Sequence, residues 1–301
     1  MEDFDNLQMI RRFEGGPHEN GFVIVHVLME LYSGKLVESA LNVIESATDR
    51  SREKLNASLE SLYSVLCSIN VAMETMWRHS TASSYNEFRT FIMGTKNQPM
   101  FPNGVIYEGV SNEPKFFRGE SGANDSIIPL VDNLLQLTEK MPDNSLSAIL
   151  RDFRSYRPKN HNKFLEYVED TARELKIGEF AMEDSNTAVL YLANLDKVRE
   201  FRARHWNFTK EYILKFSKHP VATGGSPIVT WLPNQLSAVL QAMEKVGSSI
   251  DRSLLSKENS KLFEEIVHHY EAQNEILARE VITLRKNYPG QDFTGSTGSL
   301  K

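Results

Sequence analysis

The stretch GFVIVHVLMELYSGKLVESALNVIESA, residues 21–47, decides the fold class. Phe22, Val25, Leu28, Met29 and Tyr32 recur at spacings of three and four, which places them on one stripe of a 3.6-residue helix. Residues 52–78 repeat the pattern with Leu55, Leu59, Leu62, Leu66, Ile69 and Met73. Further helices are expected near 83–94, 126–138, 144–153, 161–175, 186–217, 231–248 and 256–286. Alternating period-2 segments are scarce. VIYEGV (105–110) is the best of them, and it is too short to build a sheet. The expected fold class is therefore all-α, a single-domain helical bundle.

Composition narrows the function classes. A chain of 301 residues with 41% apolar and 25% charged residues is ordinary for a globular protein with a sizeable core. Net charge is −6 and no cationic block occurs, so no nucleic-acid partner is expected. Cys67 is the only cysteine, which excludes disulfides within the chain, a zinc ribbon, a Cys-ligated iron–sulfur cluster and a C-x-x-C-H haem attachment. The amino terminus, MEDFDNLQMIRRFEGG, is acidic and polar, and no run approaches the ~18 apolar residues that span a bilayer. A soluble, cytoplasmic protein with no membrane partner is expected.

The helical body is expected over residues 1–250, a separate helix over 251–287 and a flexible tail over 288–301. Phe263, Val267, Tyr270, Asn274, Leu277, Val281 and Leu284 follow 4-3-4-3 spacing, a heptad seam with one polar position. Such a stripe serves either to pack on the body of the same chain or to join copies in a homo-oligomer.

Breakers cluster in KNQPMFPNG (96–104), EPKFFRGESGAND (113–125), RPKNHN (157–162) and KHPVATGGSP (218–227), the loops where ligand contacts concentrate in helical proteins. Neither GESG nor ATGGSP follows a strand in the pattern of a phosphate-binding loop, and no G-x-S-x-G elbow is present. Glu265 and His268 share a helical face, but a di-iron site needs a second Glu-x-x-His, which the chain lacks. Taken singly, each histidine reads as structural.

The order of four segments changes that reading. GFVIVHVLMELYSGKLVE (21–38), YNEFRTFI (85–92), GVIYEGVSNEPKFFRGESGANDSIIPLVDNLLQL (104–137, continued by DFRSYRPKNHNKFLEYVE, 152–169), and FRARHWNFTKEYI (201–213) with ATGGSPIVTWL (222–232) follow one another along residues 20–235. In this order they resemble the haem-dependent aromatic dioxygenases, tryptophan 2,3-dioxygenase and indoleamine 2,3-dioxygenase. HWNFTKEYI and TGGSPIVTWLPNQL are similar also to the pyrrolnitrin-biosynthesis branch of that superfamily, which includes haem-dependent tyrosine hydroxylases.

The resemblance implies a helical bundle enclosing haem b (iron protoporphyrin IX), with His205 as the proximal iron ligand. It implies an oxidoreductase that uses O₂, or peroxide, on an aromatic amino acid, with tryptophan or an indole derivative first among substrates. A specialised-metabolism branch that hydroxylates tyrosine or tryptophan, or rearranges the indole ring, is the alternative, and a haem-binding protein without turnover is a third. His26 matches the distal histidine of the tryptophan enzyme, where the indoleamine enzyme has serine, and Phe22 one turn earlier would pack on the substrate ring. Arg89 matches the arginine that binds the substrate carboxylate, for which a guanidinium fork is well shaped, and Tyr85 shares its face. Thr223 matches the threonine that meets the amino-acid end, with Gly224 and Gly225 beside it; Ser121 and Gly122 match the Gly-Ser loop over the distal haem face. Arg202 and Asp132 correspond to a proximal polar network, or to a plain helix–helix salt bridge. Glu120 departs from both dioxygenases by placing a charge in the Gly-Ser loop.

Overall fold

The computed structural model describes residues 4–122, 125–137, 145–216 and 221–291, with the side chains of all of these except 145–147. In chain order the α-helices are α1 (Pro17–Glu30), α2 (Ser33–Thr48), α3 (Arg52–Glu74), α4 (Met76–His79), α5 (Ala82–Ile92), α6 (Ile127–Leu134), α7 (Ser145–Arg154), α8 (Lys159–Leu175), α9 (Ile177–Met182), α10 (Ser185–Thr209), α11 (Ile228–Ser248) and α12 (Lys257–Asn287). Among the described residues the only β pairing is two isolated bridges, Val105 with Lys115 and Val221 with Pro227. The chain is all-α, as the periodicity predicts.

Local chemistry sets the helix ends. Side chains of Ser51, Thr81, Asp184 and Ser256 accept backbone N–H groups at the starts of α3, α5, α10 and α12, satisfying donors that the first turn leaves open. Pro17 opens α1, where its missing N–H costs nothing. The stretch 21–47 forms two helices rather than one, because the chain turns at Leu31 and Tyr32 before restarting at Ser33. Residues 52–78 likewise divide at Thr75 into α3 and α4.

α10 is the axis of the body. Ala188, Val189, Tyr191, Leu192, Ala193, Leu195 and Val198 are buried on all sides of it, the pattern of a helix enclosed by others. It packs against α3, α11 and α12, while α2 lies along α3. Leu55, Leu59 and Leu62 of α3 are completely buried, each side chain stabilising the fold by about 1.5–3 kcal/mol. Inside, the Asn194 side-chain amide donates to the carbonyls of Leu59 and Leu190, and Asn70 to those of Leu66 and Lys197.

On α12, Phe263, Ile266, Leu277, Val281 and Leu284 are buried, and the helix lies along α10 and α11. Of the tail expected over 288–301, residues 292–301 lie outside the described residues.

Candidate haem and substrate pocket

Two histidines define an interior space. His26 projects from α1 and His205 from α10, and both rings are open to solvent by surface area. Yet both lie so deep among protein atoms that burial pushes their pKa values down, His205 to about 4, with the charge of nearby His26 adding to the effect there. A ring that is both accessible and deep lines a cavity rather than the outer surface. Both imidazoles are neutral near pH 7 and carry a free lone pair.

His26 has a defined tautomer. Its Nδ1 lies 2.7 Å from the Phe22 carbonyl, which can only accept, so Nδ1 carries the hydrogen and Nε2 is the acceptor. The Phe22 ring packs at 4.5 Å from the His26 ring, 5.1 Å from Tyr85 and 5.5 Å from Phe88, so α1 and α5 build one aromatic wall. Below His26, Glu30 hydrogen-bonds to Asp125. Burial and that neighbouring carboxylate push Glu30 up to about 8, so it holds a proton at neutral pH.

On the other side, no described residue hydrogen-bonds to either ring nitrogen of His205, and Thr209 Oγ1 caps its backbone carbonyl. Trp206 beside it is buried, and its indole N–H donates to Glu280 of α12 at 2.7 Å. Arg202, one turn before His205, donates from Nη2 to both carboxylate oxygens of Asp132 on α6, 2.8 Å to each, and from Nη1 to the Gln235 carbonyl. The pair is buried at both ends and joins α10, α6 and α11.

Arg89 is 6% exposed. Its Nη2 donates to the Val221 carbonyl at 2.9 Å, its Nε is buried without a hydrogen-bond partner, and no carboxylate pairs with it among the described residues. Burial lowers its pKa, and the Tyr85 hydroxyl partly offsets this. A buried cation without an anion is costly, and an anionic ligand would relieve that cost.

Three loops close the rim: 94–98, 117–122 and 221–225. Thr223 Oγ1 donates to the Glu120 carbonyl at 3.0 Å, while the Glu120 side chain is exposed. Gly225 has φ +81°, a left-handed conformation, and a Cβ there would stand 2.3 Å from the Lys96 carbonyl oxygen. A Cβ on Gly224 would meet the Phe153 ring at 2.6 Å and lie 3.2 Å from Ser121 Cβ, so Ser121 and Gly224 are neighbours across the rim. Gly122 is exposed at the edge. The structure thus gathers Phe22, His26, Tyr85 and Phe88 into one wall. It ties Arg89, Ser121 and Thr223 to the rim and sets Arg202 with Asp132 behind His205.

The family model for indoleamine 2,3-dioxygenase matches residues 1–272. The chain belongs to the indoleamine 2,3-dioxygenase family. It is 29% identical over 228 residues to indoleamine 2,3-dioxygenase 1 of Mus musculus, covering 73% of this chain and 54% of that protein. It is 24% identical over 269 residues to indoleamine 2,3-dioxygenase 2 of Homo sapiens, covering 88% and 63%. A protein named myoglobin from Haliotis diversicolor is 28% identical over 216 residues, covering 71% and 56%. The chain spans about half the length of the mouse relative.

The family's cofactor is haem b, and the residues present fit it. His205 offers an imidazole that stays unprotonated down to about pH 4, with both ring nitrogens unengaged among the described residues. His26 lies across the same space with an acceptor nitrogen.

Several residues that shape the pocket escaped sequence reading: Asp125 beside Glu30, Gln98, Arg118, Asp152 and Glu280. Arg118 and Asp152 stand inside the family-like segments, so their position in those runs was the available signal. Glu280 carries none, since its partner Trp206 is 74 residues away in the chain.

Proposed function

We propose that this protein is a haem-dependent oxygenase whose substrate is tryptophan or a closely related indole amino acid. The observation that carries the reading is the pair of deep, neutral histidines, His26 and His205, near enough for the charge of one to lower the pKa of the other. Family membership supports it, as do relatives named indoleamine 2,3-dioxygenase.

His205 would hold the iron through one imidazole nitrogen. The bound haem supplies oxygen activation; the chain supplies orientation and polarity. Arg89 binds the substrate carboxylate through its unpartnered Nε–H, and Thr223 meets the adjoining ammonium end. Phe22 and Tyr85 press the flat ring into place, and His26 Nε2 accepts the indole N–H. This fixed geometry brings the ring against the oxygen site before reaction, the part of catalysis that positioning contributes. Ser121 and Gly122 cover the rim and limit entry of water.

The test is reconstitution with hemin, followed by incubation of the reduced protein with L-tryptophan, and separately L-tyrosine, under oxygen or with peroxide. A Soret band and a product heavier by two oxygen atoms are expected with L-tryptophan. A gain of one oxygen atom would replace ring cleavage with hydroxylation, and absence of any Soret band would overturn the haem reading itself. A second reading, haem binding without turnover, is favoured by the similarity to the Haliotis myoglobin. Haem uptake with no oxygen consumption on any aromatic amino acid would establish it instead.

A further inference from the structure

Every carbonyl of the loop Val221–Gly225 is held by a donor from outside it. Arg89 reaches the Val221 oxygen at 2.9 Å, and Gln98 Nε2 those of Ala222 and Thr223 at 2.8 and 3.2 Å. The Gly94 amide also donates to Thr223 O at 3.1 Å. Arg118 Nη1 takes the Gly224 oxygen at 3.2 Å, and Asn97 Nδ2 that of Gly225 at 3.5 Å. Two guanidinium groups therefore grip the loop on either side of Thr223.

The second of these grips has its own anchor. Arg118 is 8% exposed, and its Nε and Nη2 meet Asp152 of α7 at 2.8 and 2.7 Å. The guanidinium lies over the Phe153 ring, 4.8 Å from its centre, and that ring is the wall Gly224 rests against. Asp152 also pairs with Lys96 at 2.7 Å, and Lys96 belongs to the strand of loop that Gly225 touches through its carbonyl. Lys96 foremost, then Arg118, hold the Asp152 carboxyl below its ordinary range against the opposing effect of burial. One carboxylate on a helix thus fixes a cation from each of two rim loops.

We propose that Arg118, Asp152 and Lys96 are positioning residues for an amino-acid substrate: an ionic strap that keeps Thr223 in place while the substrate carboxylate engages Arg89. The logic lies in the double duty of Arg89. It is both the candidate carboxylate ligand and one of the loop's two guanidinium anchors. When an anion draws on Arg89, the loop needs a second charged hold to keep Thr223 at the same height, and Arg118 provides it one residue beyond Thr223. None of the three strap residues touches substrate; they act through the backbone of Gly224 and Gly225. The proposal rests on the amino-acid oxygenase reading above.

The experiment uses haem-loaded full-length protein and the variants Asp152→Asn, Arg118→Ala and Arg118→Lys, with L-tryptophan and indole as probes. Asp152→Asn and Arg118→Ala are expected to raise KM for L-tryptophan about tenfold, the size expected when a hydrogen bond to a charged group is lost, with kcat changed less than about threefold. Indole, which lacks the ammonium and carboxylate, should bind each variant as it binds wild type. Hydrogen exchange at the amides of 222–225 should quicken in both variants, with Arg118→Lys between them and wild type. Should Arg118→Ala fail to fold, the near-isosteric Asp152→Asn carries the same test. Unchanged KM and exchange in Asp152→Asn, or equal loss for indole and L-tryptophan, overturns the strap. Wild-type protein that takes haem but binds no amino acid sinks the oxygenase reading and the substrate role of the strap together, while loop exchange still decides whether the strap holds the loop.

Discussion

The wall and the rim of the pocket are built by different means. The wall comes from helices: Phe22 and His26 on α1, Tyr85 and Arg89 on α5, and His205 on α10 are carried by helices that other, buried residues of the same elements hold in place. The rim has little apolar anchoring and is knit by side chains donating to loop carbonyls. A packed helix holds a side chain by bulk, which few single polar changes disturb. A bonded loop holds its position through individual donors, each of which can be removed. The wall therefore suits the proposed iron ligand, and the rim the proposed substrate contacts.

That contrast is open to attack at four points. The largest effect belongs to the wall. His205→Ala should abolish stoichiometric haem uptake, read as loss of the Soret band on hemin titration; an unchanged spectrum would place the iron ligand elsewhere.

Arg89→Ala stands where wall and rim meet. It should weaken L-tryptophan binding about a hundredfold, as loss of a charge-assisted carboxylate contact does, while the haem spectrum persists. Equal weakening of tryptamine, which has no carboxylate, would show that Arg89 supports the loop rather than the ligand.

Gly225→Ala tests the rim alone. A methyl group at φ +81°, 2.3 Å from the Lys96 carbonyl oxygen, should cost about 2 kcal/mol and displace the loop. Thermal unfolding should fall by several degrees with haem retained. No change in Tm would mean the loop is not held as described.

The smallest effect concerns Glu30. In the unfolded chain its carboxyl ionises around its ordinary 4.5, and in the folded protein around 8. Between those values folding must keep a proton that the unfolded chain releases, so the group becomes steadily more unfavourable as pH rises from 4.5 to 8, then levels off. Glu30→Gln should therefore raise Tm by about 3 °C at pH 8 and scarcely at pH 4. A uniform shift at both pH values would assign the effect to packing.

Sequence and structure agree most closely in the wall. The stripes from Phe22 to Tyr32 and from Leu55 to Met73 announce helices because a buried face imposes its period on the chain. The turn at Leu31 and Tyr32 escapes that test, since both helices keep apolar residues at compatible spacing across it. The short α9 and the strap were equally hidden. Arg118 meets Asp152 across 34 positions and Gly224 across 106, and no local periodicity encodes a contact of that span. The candidate ligands were legible through family-like segments, whereas the pairs around them, Glu30 with Asp125 and Glu280 with Trp206, depend on how segments distant in the chain meet.

After Thr209 the chain winds wider: Lys210–Leu214 forms a π-helical turn, with the Lys215 amide bonded to the Lys210 carbonyl. Five residues occupy the space of about four, so everything downstream is rotated by about one residue's angle from where a straight α10 would carry it. That extra step sets Tyr212 against Trp77, Phe208 and Tyr85, and presents its carbonyl to the Asn86 side-chain amide at 2.9 Å. Asn86 and Tyr85 both belong to α5, so this amide and the Tyr85–Tyr212 ring contact gear the end of the helix that carries His205 to the helix that carries Arg89. Excising one residue from 210–214 would straighten the coil yet leave those teeth out of mesh.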